Sequence, residues 1–154
     1  IAMSDPHDLR ANLPLTIPGL EGTIHFLNTG VPHVVVFVDD LESIDVLKFG
    51  TLLRFHDAFA PAGTNVNFAK VLGPQHIAIR TYERGVEDET LACGTGMVAC
   101  ALMHHLLNGA ASPVAVDVAG GDTLEIGFVA EGGKFSQVTL SGPADFVFEG
   151  AIEI

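Results

Sequence analysis

Cys93 stands between an acidic, glycine-punctuated stretch and an apolar run in the segment "YERGVEDETLACGTGMVACALM", residues 82–103. A thiol moves protons or attacks carbon only where its surroundings sustain the thiolate. The Gly94-Thr95-Gly96 that follows opens a helix-like run, so Cys93 falls where the unpaired N–H groups of a first turn and the positive end of the dipole converge. Both features predict a lowered thiol pKa. Gly94 and Gly96 would let a ligand carboxylate approach the backbone amides closely. Glu83 and Arg84 end a strand-like segment about ten residues earlier, and a hairpin-like return would set Cys93 beside them. A carboxylate there could take the thiol proton or hold it in place. The plainer alternative is a surface ion pair.

Cys100 is flanked by Ala99 and Ala101 within the apolar run and reads as core. On one helix, a rise of about 1.5 Å per residue puts the two cysteines about 10 Å apart, beyond the ~7 Å between Cα atoms that a disulfide tolerates. His104 and His105 are adjacent and lack the i, i+4 spacing of a zinc pair. With no paired-cysteine motif among the scattered histidines, no metal site is expected.

The elements that must position these groups follow from pattern. Residues 23–29 and 33–38 read as strands around the turn "GVP", with β-branched and aromatic enrichment. "LESIDVLKFGTLLRFHDAF" reads as an amphipathic helix burying Ile44, Leu47 and Leu52. Strands are expected at "TNVNFAKVL" and "HIAIRTYE", then a second helix from about Thr95 to Asn108 stopped by Gly109. Four further strands are expected at "VAVDVA", "TLEIGFVA", "SQVTLSG" and "DFVFEGAIEI", with Gly-Gly or Gly-Pro turns between them. The second helix is apolar around nearly its whole circumference and must be buried on all sides, Leu102 and Leu106 included. In so small a domain only a curled sheet supplies that cover. The fold class expected is therefore α+β, a mostly antiparallel sheet wrapped around a central helix, with the other helix outside.

At 154 residues and 48% apolar content the chain suits one domain with a real core. Its net charge of −12 repels phosphate backbones and anionic lipid, which argues against nucleic acid as a partner. The apolar runs fall short of the roughly 18 residues that cross a bilayer, so no membrane association is expected. Reduced thiols and the absence of a signal-like opening point to the cytoplasm. The chain opens on Ile1 rather than methionine, which suggests that something upstream has been removed.

"RTYERGVEDETLACGTG" closely resembles the signature around the second catalytic cysteine of the diaminopimelate epimerase family. "NTGVPHVVVFVDD", "GTNVNF" and "LSGPADFVFEG" extend the resemblance over residues 17 to 150. It implies one of the family's two pseudo-symmetric halves and a cofactor-independent epimerisation of diaminopimelate for lysine and peptidoglycan synthesis. In that mechanism two cysteines on opposite faces of the α-carbon remove and return a proton. Cys93 matches the second cysteine, Glu83 its partner, and His33 an assistant to the opposing cysteine. Asn65 and Arg84 match substrate-contacting positions, and Gly94 with Thr95 the backbone hole for the α-carboxylate.

The resemblance has two departures. Gly30-Val31-Pro32-His33 stands where many members read Gly-Asn-Pro-His, which leaves open whether Asn28 takes over the asparagine's part. The family's first cysteine, in a Cys-Gly-Asn motif, is absent. Residues 1–16 accordingly read as a residual interdomain segment and 17–154 as a C-terminal domain without its N-terminal one. That half is then the expected protein partner, beside diaminopimelate and a second copy in a homodimer, and the isolated chain is expected to be inactive. Two rivals are a proline racemase-like or phenazine-biosynthesis-like isomerase, and a noncatalytic binding module that kept the half-fold. Substrate length separates the first, since only a diaminopimelate site must recognise a second amino-acid end. A Cys-Gly-Asn encoded upstream of Ile1 would exclude the second.

Overall fold

The β-branched run in Pro32–Phe37 and the alternating pattern of Asn65–Gly73 and His76–Glu83 form the middle of a single curled sheet. The structure, a computed structural model, describes residues 1–153. Its strands are β1 (His7–Leu13), β2 (Ile24–Asn28), β3 (Pro32–Phe37), β4 (Asn65–Gly73), β5 (His76–Glu83), β6 (Asp88–Thr90), β7 (Val114–Asp117), β8 (Thr123–Glu131) and β9 (Lys134–Ser141). Helices α1 (Val46–Arg54) and α2 (Gly94–Asn108), with a short 3₁₀ turn at Asp57–Phe59, complete the order. The strands run β1-β2-β3-β4-β5-β7-β8-β9 across the sheet, with β6 paired beside β5. Only β3/β4 and β5/β7 are parallel. Those are the two places where a helix carries the chain across, as parallel pairing requires.

Alternate residues face opposite sides of each strand. Val35, Ala69, Ile77 and Ile79 point to α2, whereas Val34, Val36, Val66 and Phe68 point to α1. Helix α2 lies inside the curl and touches β2, β3, β4, β5, β7, β8 and β9. Residues Gly96 to His104 are all buried, which fits the weak amphipathicity of the sequence there. Gly109 ends the helix in the left-handed region at φ 71°, donating its N–H to His105 O. The α+β reading of a sheet around a central helix is thus the observed architecture.

Three expectations are corrected. In α1 the buried stripe is Val46, Phe49, Gly50 and Leu53, while Leu47 and Leu52 are exposed. The helix starts only at Asp45, whose carboxylate caps Lys48 N at 3.0 Å, and that later start sets its rotation; Ile44, just before it, packs at the edge of the α1 core. On α2, Leu106 is 43% exposed against 0% for Leu102, because the last helical turn runs out past the sheet. Residues 142–153 form no strand, and Phe146, Val147, Phe148 and Ile152 stand in solvent. The apolar residues that suggested a strand there have no neighbouring strand to pair with; Ile154, the end of that stretch, lies outside the described residues. Residues 7–13, in the segment expected to precede the domain, form the edge strand β1 against β2. Among the described residues no helix is long and apolar enough to cross a membrane.

Candidate active site

At the N-terminal end of α2 the concave face of the sheet turns polar. His33, Asn65, Asn67 and Thr81 share the face that carries Val35 and Ile79, and the strand register makes them neighbours. His33 lies opposite Asn65, Val35 opposite Asn67, and Asn67 opposite Thr81. The β5–β6 hairpin then brings the chain back, with Thr90 opposite Thr81 and Asp88 opposite Glu83, and delivers Cys93 to the start of α2. A paired Arg80 and Glu89, 2.7 Å apart, fasten the hairpin strands. Gly85 and Glu87 take positive φ in its turn, where Glu87 accepts from Gly85 N and pairs with Arg54 at 2.9 Å.

Cys93 is the N-cap of α2, in extended conformation, and 9% exposed. The first intrahelical bond runs from Met97 N to Cys93 O, so the amides of Gly94, Thr95 and Gly96 precede the ladder and remain at the helix mouth. The Cys93 sulfur lies 3.6 Å from Thr95 Oγ1. That hydroxyl is 2.9 Å from His33 Nε2, and the Thr95 carbonyl accepts from Thr29 Oγ1. Asn67 Nδ2 lies 3.0 Å from His33 Nδ1 and donates to Val34 O, while Thr81 Oγ1 donates to Asn67 Oδ1. The array is packed tightly: a Cβ added to Gly96 would run into Asn67 Oδ1 and come within 3.3 Å of the Cys93 sulfur.

The expectation of a lowered Cys93 pKa is corrected. Burial pushes the thiol up, and the nearby Glu83 carboxylate pushes it further. The Thr95 hydroxyl and the amides of Gly96 and Thr95 pull in the other direction without prevailing. The helix end is present as foreseen, but desolvation of a charged sulfur outweighs it. Cys100 is fully buried, its thiol pushed well up by burial, and both cysteines are free, as expected from their placing. Burial holds His33 down at about 3, with the Arg84 guanidinium adding to the effect, so it is neutral at physiological pH.

Asn65 and Arg84 meet at the rim. Arg84 N donates to Asn65 Oδ1 at 2.8 Å, Asn65 Nδ2 to Pro32 O, and the Arg84 guanidinium to Ala62 O. Asn28 accepts from Gly30 N at 3.0 Å, closing the turn before β3. All seven candidate residues, Cys93, Glu83, His33, Asn65, Arg84, Gly94 and Thr95, therefore lie at one end of the sheet around the helix mouth. Asn67, Thr81 and Thr29 were not singled out from sequence. The signal for Asn67 was its i+2 spacing from Asn65 in an otherwise apolar strand. A cavity of about 550 Å³ lined by Phe37, Asp39, Asp40 and Phe49 holds none of the seven. Among the described residues no cluster of histidine, cysteine and carboxylate side chains is arranged to hold a metal ion.

The family model for diaminopimelate epimerase matches residues 25–147. Diaminopimelate epimerases from Aquifex aeolicus and Chlorobaculum tepidum are 47% and 46% identical over 90% and 84% of the chain, covering 49% and 50% of those proteins. One from Methanocella arvoryzae is 43% identical over 83% of the chain. The chain spans about half the length of these relatives. A crystal structure of a probable proline racemase from Agrobacterium radiobacter K84 superposes with a TM-score of 0.67 at 16% identity, covering 99% of this chain and 53% of that one. That likeness is one of fold.

Proposed function

The chain belongs to the diaminopimelate epimerase family, and from that premise we propose that it carries one of the two proton-transfer thiols of a diaminopimelate epimerase active site. The observation that carries the reading is Cys93 at the mouth of α2, among the first-turn amides and near Glu83. An α-amino acid bound with its carboxylate at the amides of Gly94, Thr95 and Gly96 presents its α-carbon to the sulfur. In one direction the Cys93 thiolate takes the α-proton, the C–H electron pair passes into the carboxylate, and the amides stabilise the added charge. A thiol on the opposite face returns a proton to carbon. In the other direction Cys93 is the donor, and a raised thiol pKa keeps that proton in place until it is needed.

Glu83 is the carboxylate near Cys93 and would pair with it and take its proton. His33 is neutral and reaches the array through Nε2. Asn65 and Arg84, joined at the rim, contact the substrate. The chemistry uses no pyridoxal phosphate or metal, and the setting is lysine and peptidoglycan synthesis in the cytoplasm. The second thiol belongs to an N-terminal half, and the bare apolar side chains of residues 146–152 are surface for that half to cover.

Solvent deuterium entering the α-carbon of diaminopimelate tests the reading. The chain alone should show no epimerisation, because one thiol serves only one face. Joined to the N-terminal half of a relative, it should epimerise with no added cofactor, and Cys93→Ser should abolish turnover, since a hydroxyl is a far poorer base than a thiolate. Epimerisation by the chain alone, or an active Cys93→Ser form, would refute it.

A further inference from the structure

Asn67 and Thr81 are buried in the same polar array, yet the proton-transfer reading gives them no part. The orientation of the Asn67 amide follows from its neighbours. Val34 O, 2.8 Å away, can only accept, so the amide nitrogen must face it; the reversed amide would set two carbonyl oxygens against each other. The same nitrogen reaches His33 Nδ1 at 3.0 Å, and Thr81 Oγ1 donates to the oxygen on the other side. Nδ1 must therefore present a lone pair. A neutral imidazole then carries its proton on Nε2, which donates to Thr95 Oγ1 at 2.9 Å. Having accepted that bond, the Thr95 hydroxyl still has its own hydrogen to donate, and a Cys93 thiolate 3.6 Å away can only accept it.

We propose that Asn67 is a positioning residue: it locks His33 in the Nε2–H tautomer and so aims the Thr95 hydroxyl hydrogen at the Cys93 sulfur. One main-chain carbonyl thus sets the direction of the bonds from β3 to Thr95, and the charge on the sulfur sets the last one. The charged groups facing the array act beside this chain of bonds. Arg84 disfavours a second proton on His33, and Glu83 opposes the thiolate that the Thr95 hydroxyl supports. The importance of the array for turnover rests on the proposed function, but its hydrogen-bond direction does not.

The test is long-range proton–nitrogen NMR on the histidine-labelled 154-residue chain, with no substrate present. His33 should show a bare Nδ1 and a protonated Nε2, unchanged between about pH 5.5 and 8.5, where an ordinary histidine titrates. Asn67→Asp replaces the donor with an acceptor and should place a proton on Nδ1. Thr95→Val should leave the tautomer unchanged but slow iodoacetamide alkylation of Cys93 at pH 8 about fivefold, by removing a hydrogen bond to the thiolate; Thr95→Ser should restore the rate. A proton on Nδ1 in the unaltered chain, a bare Nδ1 in folded Asn67→Asp, or undiminished alkylation of Thr95→Val would overturn the proposal. The spectrum of the unaltered chain decides the tautomer even if Asn67→Asp fails to fold. Loss of epimerase activity in the joined enzyme would sink the functional reading and leave the tautomer standing, and the wrong tautomer would do the reverse.

Discussion

Two buried residues at the helix mouth respond to pH in ways their types alone do not suggest. His33 binds its proton only near pH 3 in the folded chain but near 6.5 when unfolded. Below about pH 6.5 the unfolded state therefore takes up a proton that the folded state refuses. The stability tied to neutral His33 is whole above that pH and falls as pH drops towards 3. Urea unfolding should show the stability of the chain relative to His33→Gln declining by about 1.4 kcal/mol per pH unit through the range below about pH 6. A difference that stays constant with pH would show that His33 is not buried as a neutral base. Cys93 should alkylate more slowly at pH 8 than an unstructured cysteine, because burial leaves little thiolate, yet before Cys100, which is sealed in the core. Peptide mapping after brief iodoacetamide treatment checks the order, and labelling of Cys100 first would contradict this account of both sites.

Helix α2 is supported unevenly along its length. Leu102 is fully buried in the core around α2, so Leu102→Ala should cost about 2–5 kcal/mol. Leu106→Ala, on the turn that leaves the sheet, should cost less than about 1 kcal/mol. Equal losses in thermal or urea unfolding would mean that the sheet encloses the last turn as well. Gly96 matters for space rather than for backbone freedom. Alanine is favoured in a helix by about 1 kcal/mol, but here its methyl meets the Asn67 amide, which is held on three sides. Gly96→Ala should therefore destabilise by a net 1–3 kcal/mol or so and disturb the Cys93 environment. A gain in stability would show that Asn67 yields easily.

Across the whole molecule the sheet has one sealed face around α2 and a second core under α1, while the chain after Ser141 leaves both. Phe146 is 97% exposed, and its neighbours Val147 and Phe148 are nearly as bare. Truncation after Pro143 should therefore change the stability of the isolated chain by less than about 0.5 kcal/mol and lower its binding of an apolar dye. Joined to the proposed N-terminal half, the protein should lose much more stability on the same truncation. A large loss of stability in the isolated chain would show that the tail packs on the domain itself.

Most of the elements, and the place of the candidate site, were legible in the sequence because they depend on local pattern. The strand at His76–Glu83, the buried helix ended by Gly109 and a cysteine at that helix's mouth follow from period, punctuation and capping. The α1 face was misjudged because Leu47 and Leu52 are apolar at helical spacing, whereas the face that packs was chosen by where Asp45 starts the helix and by Tyr82 lying against Gly50. The strand expected at 145–154 failed because a strand needs a neighbour, and pairing is not a local property. The sign of the Cys93 shift could not be read from its position before a helix. The dipole is local to that helix, while the burial that outweighs it comes from the tertiary fold closing around the helix mouth. The role of Asn67 needed the tertiary structure for the same reason: only the register of three strands sets its amide between Val34, His33 and Thr81.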